Sequence, residues 1–175
     1  MNKLFTIIVL AGLGLGAFVV YSFVAPYYFS LNSAEEVELR IHEFVNESRN
    51  KSGAVALEFD PNLAEIARAH SQDMVDRNFY SHVNPDGLDP TARAEKAGYN
   101  CYKDYGIYAE EGLGENIAQP GSRWITPEDL AYDTVILWYN SQDHRENMNE
   151  RNYKIEGIGV AFTDGGKAYI TQNLC

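Results

Sequence analysis

An uninterrupted apolar run occupies the N-terminus of the chain. No charged residue lies between Leu4 and Leu31, so the run exceeds the roughly 20 residues that a membrane-spanning helix needs. It is also longer than the roughly 7–15-residue apolar core of a cleaved signal peptide. Lys3 precedes it and acidic residues follow it, which favours a cytoplasmic N-terminus. We therefore predict that segment 1–31 is a transmembrane helix.

Downstream of this run, apolar residues recur at helical spacing in two stretches. Ser33 is predicted to cap a helix that runs to about Asn50, with Glu36 as its capping-box partner. Asp60 and Pro61 are predicted to begin a second helix, because aspartate caps helices and proline favours the first turn. The apolar face of this second helix comprises Leu63, Ile66, Ala67, His70 and Met74.

The second half of the chain changes from helical to extended patterns. A short helix is predicted from Pro90 to Gly98, and another begins at Thr126-Pro127. Residues 155–163 and 168–174 have the composition of strands, and a turn at Asp164-Gly165-Gly166 joins them. Helices are thus predicted in the early and middle parts of the chain, and strands near its end. This order predicts an α+β domain, residues 34–175, with helices packed on an antiparallel sheet.

Charge and composition narrow the partners of this domain. The chain has 25 acidic and 14 basic residues and a formal net charge of −11. Such a surface repels phosphate groups, so we expect no nucleic-acid partner. No nucleotide-binding loop or redox motif is present, so no organic cofactor is expected.

Three polar segments stand beside apolar positions and carry the candidate chemistry. They are Ser81-His82, Gly114-Glu115-Asn116 and the stretch from Trp138 to His144-Arg145. Two histidines and a glutamate on one scaffold can bind a divalent metal or carry out acid–base chemistry near neutral pH.

Cys101 and Cys175 are the two cysteines of the chain. In an oxidising compartment they are a natural pair, and a bridge would close a long loop. Free or intermolecular thiols are the alternative.

Several motifs, in order along the chain, resemble those of the CAP superfamily, and specifically its prokaryotic branch of SCP domains. They are AHSQDMVDRNFYSHVNPDG, AGY, GENIA, WYNSQDHRENM, GIGVAF and YITQNLC, and the resemblance runs from about Glu36 to Cys175. It implies a three-layer α-β-α sandwich with a central antiparallel sheet.

The resemblance also implies a cleft lined by a tetrad of two histidines and two acids. His82, Glu115 and His144 match three of the four positions, and Ser141 stands where eukaryotic members have the second acid. The implied cleft therefore consists of His82, Glu115, Ser141 and His144.

Two functions from different classes follow from this set. The first is an extracellular binding module for an unknown ligand or protein, with His82 and His144 as ligands of zinc or another divalent metal. The alternative is a metal-dependent hydrolase or peptidase with His82, Glu115 and His144 as catalytic residues. One carboxylate and a serine fit binding better than catalysis, so we favour the binding module over the enzyme.

We expect the protein in the cell membrane, crossing it once, with its C-terminal domain outside. Secretion after signal cleavage is the alternative, and the domain is exported in both cases. Among the remaining polar residues, His70 is expected to be a hydrogen-bonded histidine in the core or at the cleft edge, and His42 to face solvent. Arg93 and Arg145 are expected to anchor loops by pairing with acids.

Overall fold

The computed structural model describes residues 34–104, 109–121 and 125–175. The predicted transmembrane segment, 1–31, and the predicted cap Ser33 lie outside the described residues. Within the described part of the chain, no helix is both long enough and apolar enough to cross a membrane.

Five helices form among the described residues, and most begin where capping residues predict. Their bounds are α1 Ala34–Ser52, α2 Pro61–Asp76, α3 Pro90–Lys96, α4 Pro127–Asn140 and α5 Gln142–Asn149. Asp60 accepts hydrogen bonds from the first backbone amides of α2, and Thr126 accepts one from the first turn of α4. The predicted starts of α2, α3 and α4 are therefore confirmed, whereas α5 was not predicted.

The described strands form one four-stranded sheet and one separate pair. Their bounds are β1 Glu58–Phe59, β2 Tyr102–Asp104, β3 Ala109–Glu111, β4 Gly114–Ala118, β5 Ile155–Phe162 and β6 Ala168–Leu174. The sheet order is β1-β5-β6-β4, and β2 pairs with β3. The β5–β6 and β4–β6 pairs are antiparallel, as expected, but β1 joins β5 in parallel. The sheet is therefore mixed rather than purely antiparallel, because the two-residue strand β1 runs in the same direction as β5.

Helices cover both faces of the sheet, which gives the three layers that the resemblance implied. On one face α1, α4 and α5 pack over β5 and β6 in the main apolar core, which includes Ile41, Trp138, Met148, Ile158 and Ile170. On the other face lies α2, which approaches β5 closely because Gly157 and Gly159 face it. A Cβ atom at either glycine would overlap the α2 backbone.

A disulfide joins Cys101, just before β2, to Cys175, just after β6. Their Cα atoms lie 5.7 Å apart and their sulfur atoms 2.11 Å apart. The predicted pairing is thus confirmed, and the bridge fixes the end of β6 next to the segment that follows α3.

Candidate functional site

Strand β4 carries Glu115 and Asn116 to opposite faces of the sheet, because side chains alternate along a strand. Glu115 pairs with Asn173 of β6 in the sheet register, and its side chain is only 1% exposed. Asn116 faces the core formed by α1, α4 and α5, where it bonds to Gln172. The two residues therefore meet different sets of partners.

The carboxylate of Glu115 has both oxygens engaged. Its Oε1 accepts a hydrogen bond of 2.8 Å from Nδ1 of His82, and its Oε2 forms a buried ion pair with Arg93. His70 lies behind the same carboxylate, with its Nε2 4.0 Å from Oε1. Burial of a carboxylate is costly unless a cation and hydrogen bonds compensate for it, and Arg93 supplies the opposite charge.

Arg93 also fixes the backbone that carries His82. Its Nη1 donates to the carbonyl oxygens of His82 at 2.6 Å and of Leu88 at 3.1 Å. Asn84 closes the intervening turn by accepting from the backbone amides of Asp86 and Leu88. The loop that carries His82 is therefore held by Arg93 of α3 and by the hydrogen bonds of its own turn, which gives His82 a defined position.

The imidazole of His82 is oriented but accessible. Because an ionised carboxylate only accepts hydrogen bonds, the proton of the neutral ring belongs on Nδ1 and the lone pair on Nε2. The side chain is 46% exposed. His82 therefore has an available ring nitrogen next to solvent, in the tautomer that suits a metal ion or a hydrogen-bond donor.

His144 lies on α5, and its carbonyl oxygen accepts a hydrogen bond from Nδ2 of Asn116 at 3.2 Å. Partial burial lowers the pKa of His144 below its usual value, and the neighbouring charge of His82 lowers that pKa further. Both effects favour the neutral imidazole, which is the form that binds metals.

Ser141 marks the junction of α4 and α5 and makes no side-chain capping bond to α5. Its backbone bonds to Leu137 and Arg145. The structure thus brings His82 and Glu115 into direct contact and His144 into electrostatic reach of His82. It gives Ser141 no hydrogen bond to any of these three among the described residues, and its predicted place in a cleft stays a prediction.

The other predicted polar residues have mixed outcomes. His70 is buried and its Nε2 donates to the carbonyl oxygen of Ser81 at 3.0 Å, as expected for a hydrogen-bonded core histidine. Arg93 pairs with an acid as expected, but its contact with the site was missed. The sequence held only a weak signal for it, an arginine on the inner face of a seven-residue helix. Arg145 instead donates to the carbonyl oxygen of Tyr139.

The prediction that His42 faces solvent is wrong. Its side chain is only 20% exposed, and its Nδ1 bonds to Oε1 of the fully buried Glu156 at 2.6 Å. Glu156 is a charged residue within an apolar strand, so a partner was needed, and α1 supplies it from across the layer boundary.

A groove of about 830 Å³ opens along α2 and α3. Its lining includes His70 and Arg93, the two residues that contact Glu115 from behind. The remaining lining residues come from α2, from the loop between α2 and α3, from the end of α3 and from the three residues that follow it.

The fit of this site to a metal ion depends on its donors. Within residues 34–104, 109–121 and 125–175, no three His, Cys, Asp or Glu side chains are arranged to hold an ion. Two neutral imidazoles fit zinc or a similar ion as an open, exchangeable pair, with water completing the coordination. His82 and His144 would hold the ion, while Glu115 would orient the His82 ring.

The fold agrees with the results of sequence and structure comparison. The model of the CAP family, described as the cysteine-rich secretory protein family, matches residues 42–174. The chain therefore belongs to the CAP family.

Two curated relatives come from Bacillus subtilis (strain 168). The protein YkwD is 33% identical over 141 residues, which cover 81% of this chain and 48% of YkwD. The membrane protein YlbC is 32% identical over 143 residues, which cover 78% of this chain and 34% of YlbC. The chain thus spans half or less of the length of either relative.

A solved structure of an extracellular protein containing an SCP domain, from Bacillus anthracis str. Ames, has a TM-score of 0.60. It is 26% identical, and the match covers 81% of this chain and 40% of that chain. Extracellular and membrane proteins are thus both represented among these relatives.

Proposed function

We propose that this chain is an exported, membrane-anchored binding module whose His82 and His144 bind a divalent metal ion, or a small ligand, at the extracellular side. The observation that carries the proposal is the half-exposed His82 imidazole, held through Nδ1 by a buried carboxylate. A histidine whose second nitrogen is fixed in this way is a common arrangement at metal sites.

The lowered pKa of His144 supports the same proposal. Burial is the larger cause and the charge of His82 the smaller one. Because a metal ion binds the neutral imidazole, a lowered pKa keeps more of His144 in the form that can accept a metal near neutral pH. Zinc is the ion used in the experiment below, because imidazole is a good ligand for zinc.

The alternative, a hydrolase with Glu115 as general base, fits the geometry less well. A general base must reach the water that it activates. Both oxygens of Glu115 are already engaged, by His82 and Arg93, and the side chain is almost fully buried. Glu115 is therefore better suited to orienting His82 than to removing a proton from a substrate.

The uncharged run between Leu4 and Leu31 supports a membrane location for the module. One relative is a membrane protein and a solved relative is extracellular. The Cys101–Cys175 disulfide also suits an oxidising compartment. These observations support a domain that is held at the outer side of the cell membrane.

Zinc titration calorimetry on the full-length protein in detergent tests the metal site. We expect one site of micromolar affinity, with only weak residual binding through the remaining histidine in His82→Ala and in His144→Ala. The matched control is Asp164→Asn, which removes an exposed potential metal ligand in the turn between β5 and β6. Unchanged binding in both site variants would place zinc elsewhere, and equal loss in the control would indicate a nonspecific effect.

A peptidase assay on the same zinc-loaded protein separates the two functions. The binding module predicts no zinc-dependent turnover of a mixed peptide library. Turnover that Glu115→Gln abolishes, while zinc affinity is retained, would favour the hydrolase instead.

A further inference from the structure

Asn116 is fully buried and uses its whole amide group. Its Nδ2 donates to the carbonyl oxygen of His144 at 3.2 Å and to Oε1 of Gln172 at 2.9 Å. Its Oδ1 accepts from Nδ2 of Asn147 at 3.0 Å. Asn116 therefore holds α5 at two points, three residues apart, and one of them is the backbone of His144.

A buried chain of hydrogen bonds fixes the orientation of this amide. Glu156 accepts from His42 at 2.6 Å through Oε1, and from Nε2 of Gln172 at 2.6 Å through Oε2. Because a carboxylate accepts hydrogen bonds, Gln172 must turn its amino group toward Glu156 and its oxygen toward Asn116. Asn116 must then present its own amino group to Gln172 and to His144.

The chain of contacts thus crosses the core from α1 to α5. It begins at His42 on α1, passes through Glu156 on β5 and Gln172 on β6, and ends at Asn116 and the α5 backbone. Each link lies in a core with little exposure, where hydrogen bonds are strong and an unmade one is costly. Helix α5 is consequently tied to the sheet by polar contacts as well as by the packing of Met148.

Glu115 and Asn116 thus perform parallel tasks on opposite faces of β4. The first fixes the His82 ring through its carboxylate, and the second fixes the backbone of His144 through its amide. We propose that Asn116 is a positioning residue, which sets where His144 stands relative to His82 and so determines the affinity of the two-histidine site. This inference rests on the proposed metal-binding function. Asn116 would act through the backbone of His144 and would not bind the metal itself.

The expected effect is a loss of zinc affinity without loss of either ligand. Groups that orient metal ligands typically contribute 10–100-fold to affinity. Asn116→Ala should therefore weaken zinc binding by about tenfold or more, because α5 loses both of its bonds to β4. Asn116→Ser removes the same amide with a smaller loss of polarity, and it serves if the alanine variant does not fold.

The test is a double-mutant cycle with His144→Ala, measured by zinc calorimetry on the full-length protein in detergent. If Asn116 acts through His144, its substitution lowers affinity in the wild type and has no further effect once His144 is removed. The matched control is Ser71→Ala, a buried side chain on the opposite face that bonds to Gly159 and Thr171. Its melting temperature should fall while its zinc affinity stays unchanged.

The possible results separate the positioning role of Asn116 from the metal-binding function. Wild-type affinity in both Asn116 variants would overturn the positioning role and leave the metal site intact. An equal loss of affinity in the His144→Ala background, or in Ser71→Ala, would overturn it as well, because the effect would then be a general one. No zinc binding by the wild type would overturn the proposed function and this inference together.

Discussion

Removal of the Cys101–Cys175 bridge should destabilise the domain chiefly through the unfolded chain. The two cysteines are 74 residues apart, and the chain-entropy relation for a loop of that length gives about 4.5 kcal/mol at 25 °C. The folded state should change little, because the end of β6 is also held by backbone bonds. Cys175 donates to the carbonyl oxygen of Ile155 and accepts from the amides of Lys154 and Ile155.

Urea unfolding of the domain, residues 34–175, measures this loss. We compare the oxidised protein with Cys101→Ala, Cys175→Ala and the double variant. Either single variant should lose as much stability as the double, because each breaks the same bridge. The dependence of unfolding free energy on urea should also rise, since the unbridged chain exposes more surface.

Near-ultraviolet circular dichroism of the same variants checks that the folded state persists. A loss below about 1.5 kcal/mol, with native spectra, would refute the reasoning, because the loop would then be constrained by other means in the unfolded chain. Large additive losses in the two single variants would refute it in a different way, by showing that each cysteine contributes mainly through packing.

Three further predictions concern packing, pH and buried charge. Gly159→Ala should lower the free energy of unfolding in urea by at least about 2 kcal/mol, because its methyl group would overlap the backbone of α2. The control is Gly165→Ala, which should stay near wild type because its methyl group has room in the β5–β6 turn. Burial lowers the pKa of His70 below the usual 6.5, so the stability that this residue contributes is present above about pH 6.5 and is lost as pH falls through its folded pKa. His70→Gln, compared with wild type by urea unfolding at about pH 7.5 and about pH 5, should flatten that decline, and an unchanged slope would contradict the prediction. Arg49 is fully buried and donates to four backbone carbonyl groups, so Arg49→Lys should cost about 3 kcal/mol in urea unfolding, and a loss within about 0.5 kcal/mol would show that water or lysine replaces these bonds.

Local signals in the sequence determined much of the secondary structure. The caps and prolines at Asp60-Pro61 and Thr126-Pro127 predicted the starts of α2 and α4. The strand pattern of residues 155–163 and 168–174 predicted β5 and β6 to within one residue. These signals are reliable because a cap or an alternating pattern acts over a few neighbouring residues and needs no distant partner.

The motifs, through the family resemblance, also predicted that His82 and Glu115 belong together, and they bond directly. The resemblance could not supply Arg93, whose role depends on a carboxylate 22 residues away. Nor did it indicate that Asn116 would hold His144, because that bond requires α5 to lie against β4. Contacts of this kind arise only when separate elements pack together.

Tertiary structure alone decided β4, β1 and the surroundings of His42. Strand β4 has five residues, and four of them are buried whichever face of the sheet they lie on. It therefore lacks the alternation of buried and exposed positions that would mark a strand in the sequence. Strand β1 has two residues and exists only through its parallel pairing with β5. His42 was predicted to face solvent, yet it binds Glu156 on a strand that follows 114 residues later. The sequence therefore determined the elements with local signals, whereas polar residues whose partners are distant in the chain acquired their roles only on folding, because burial requires each to find a partner.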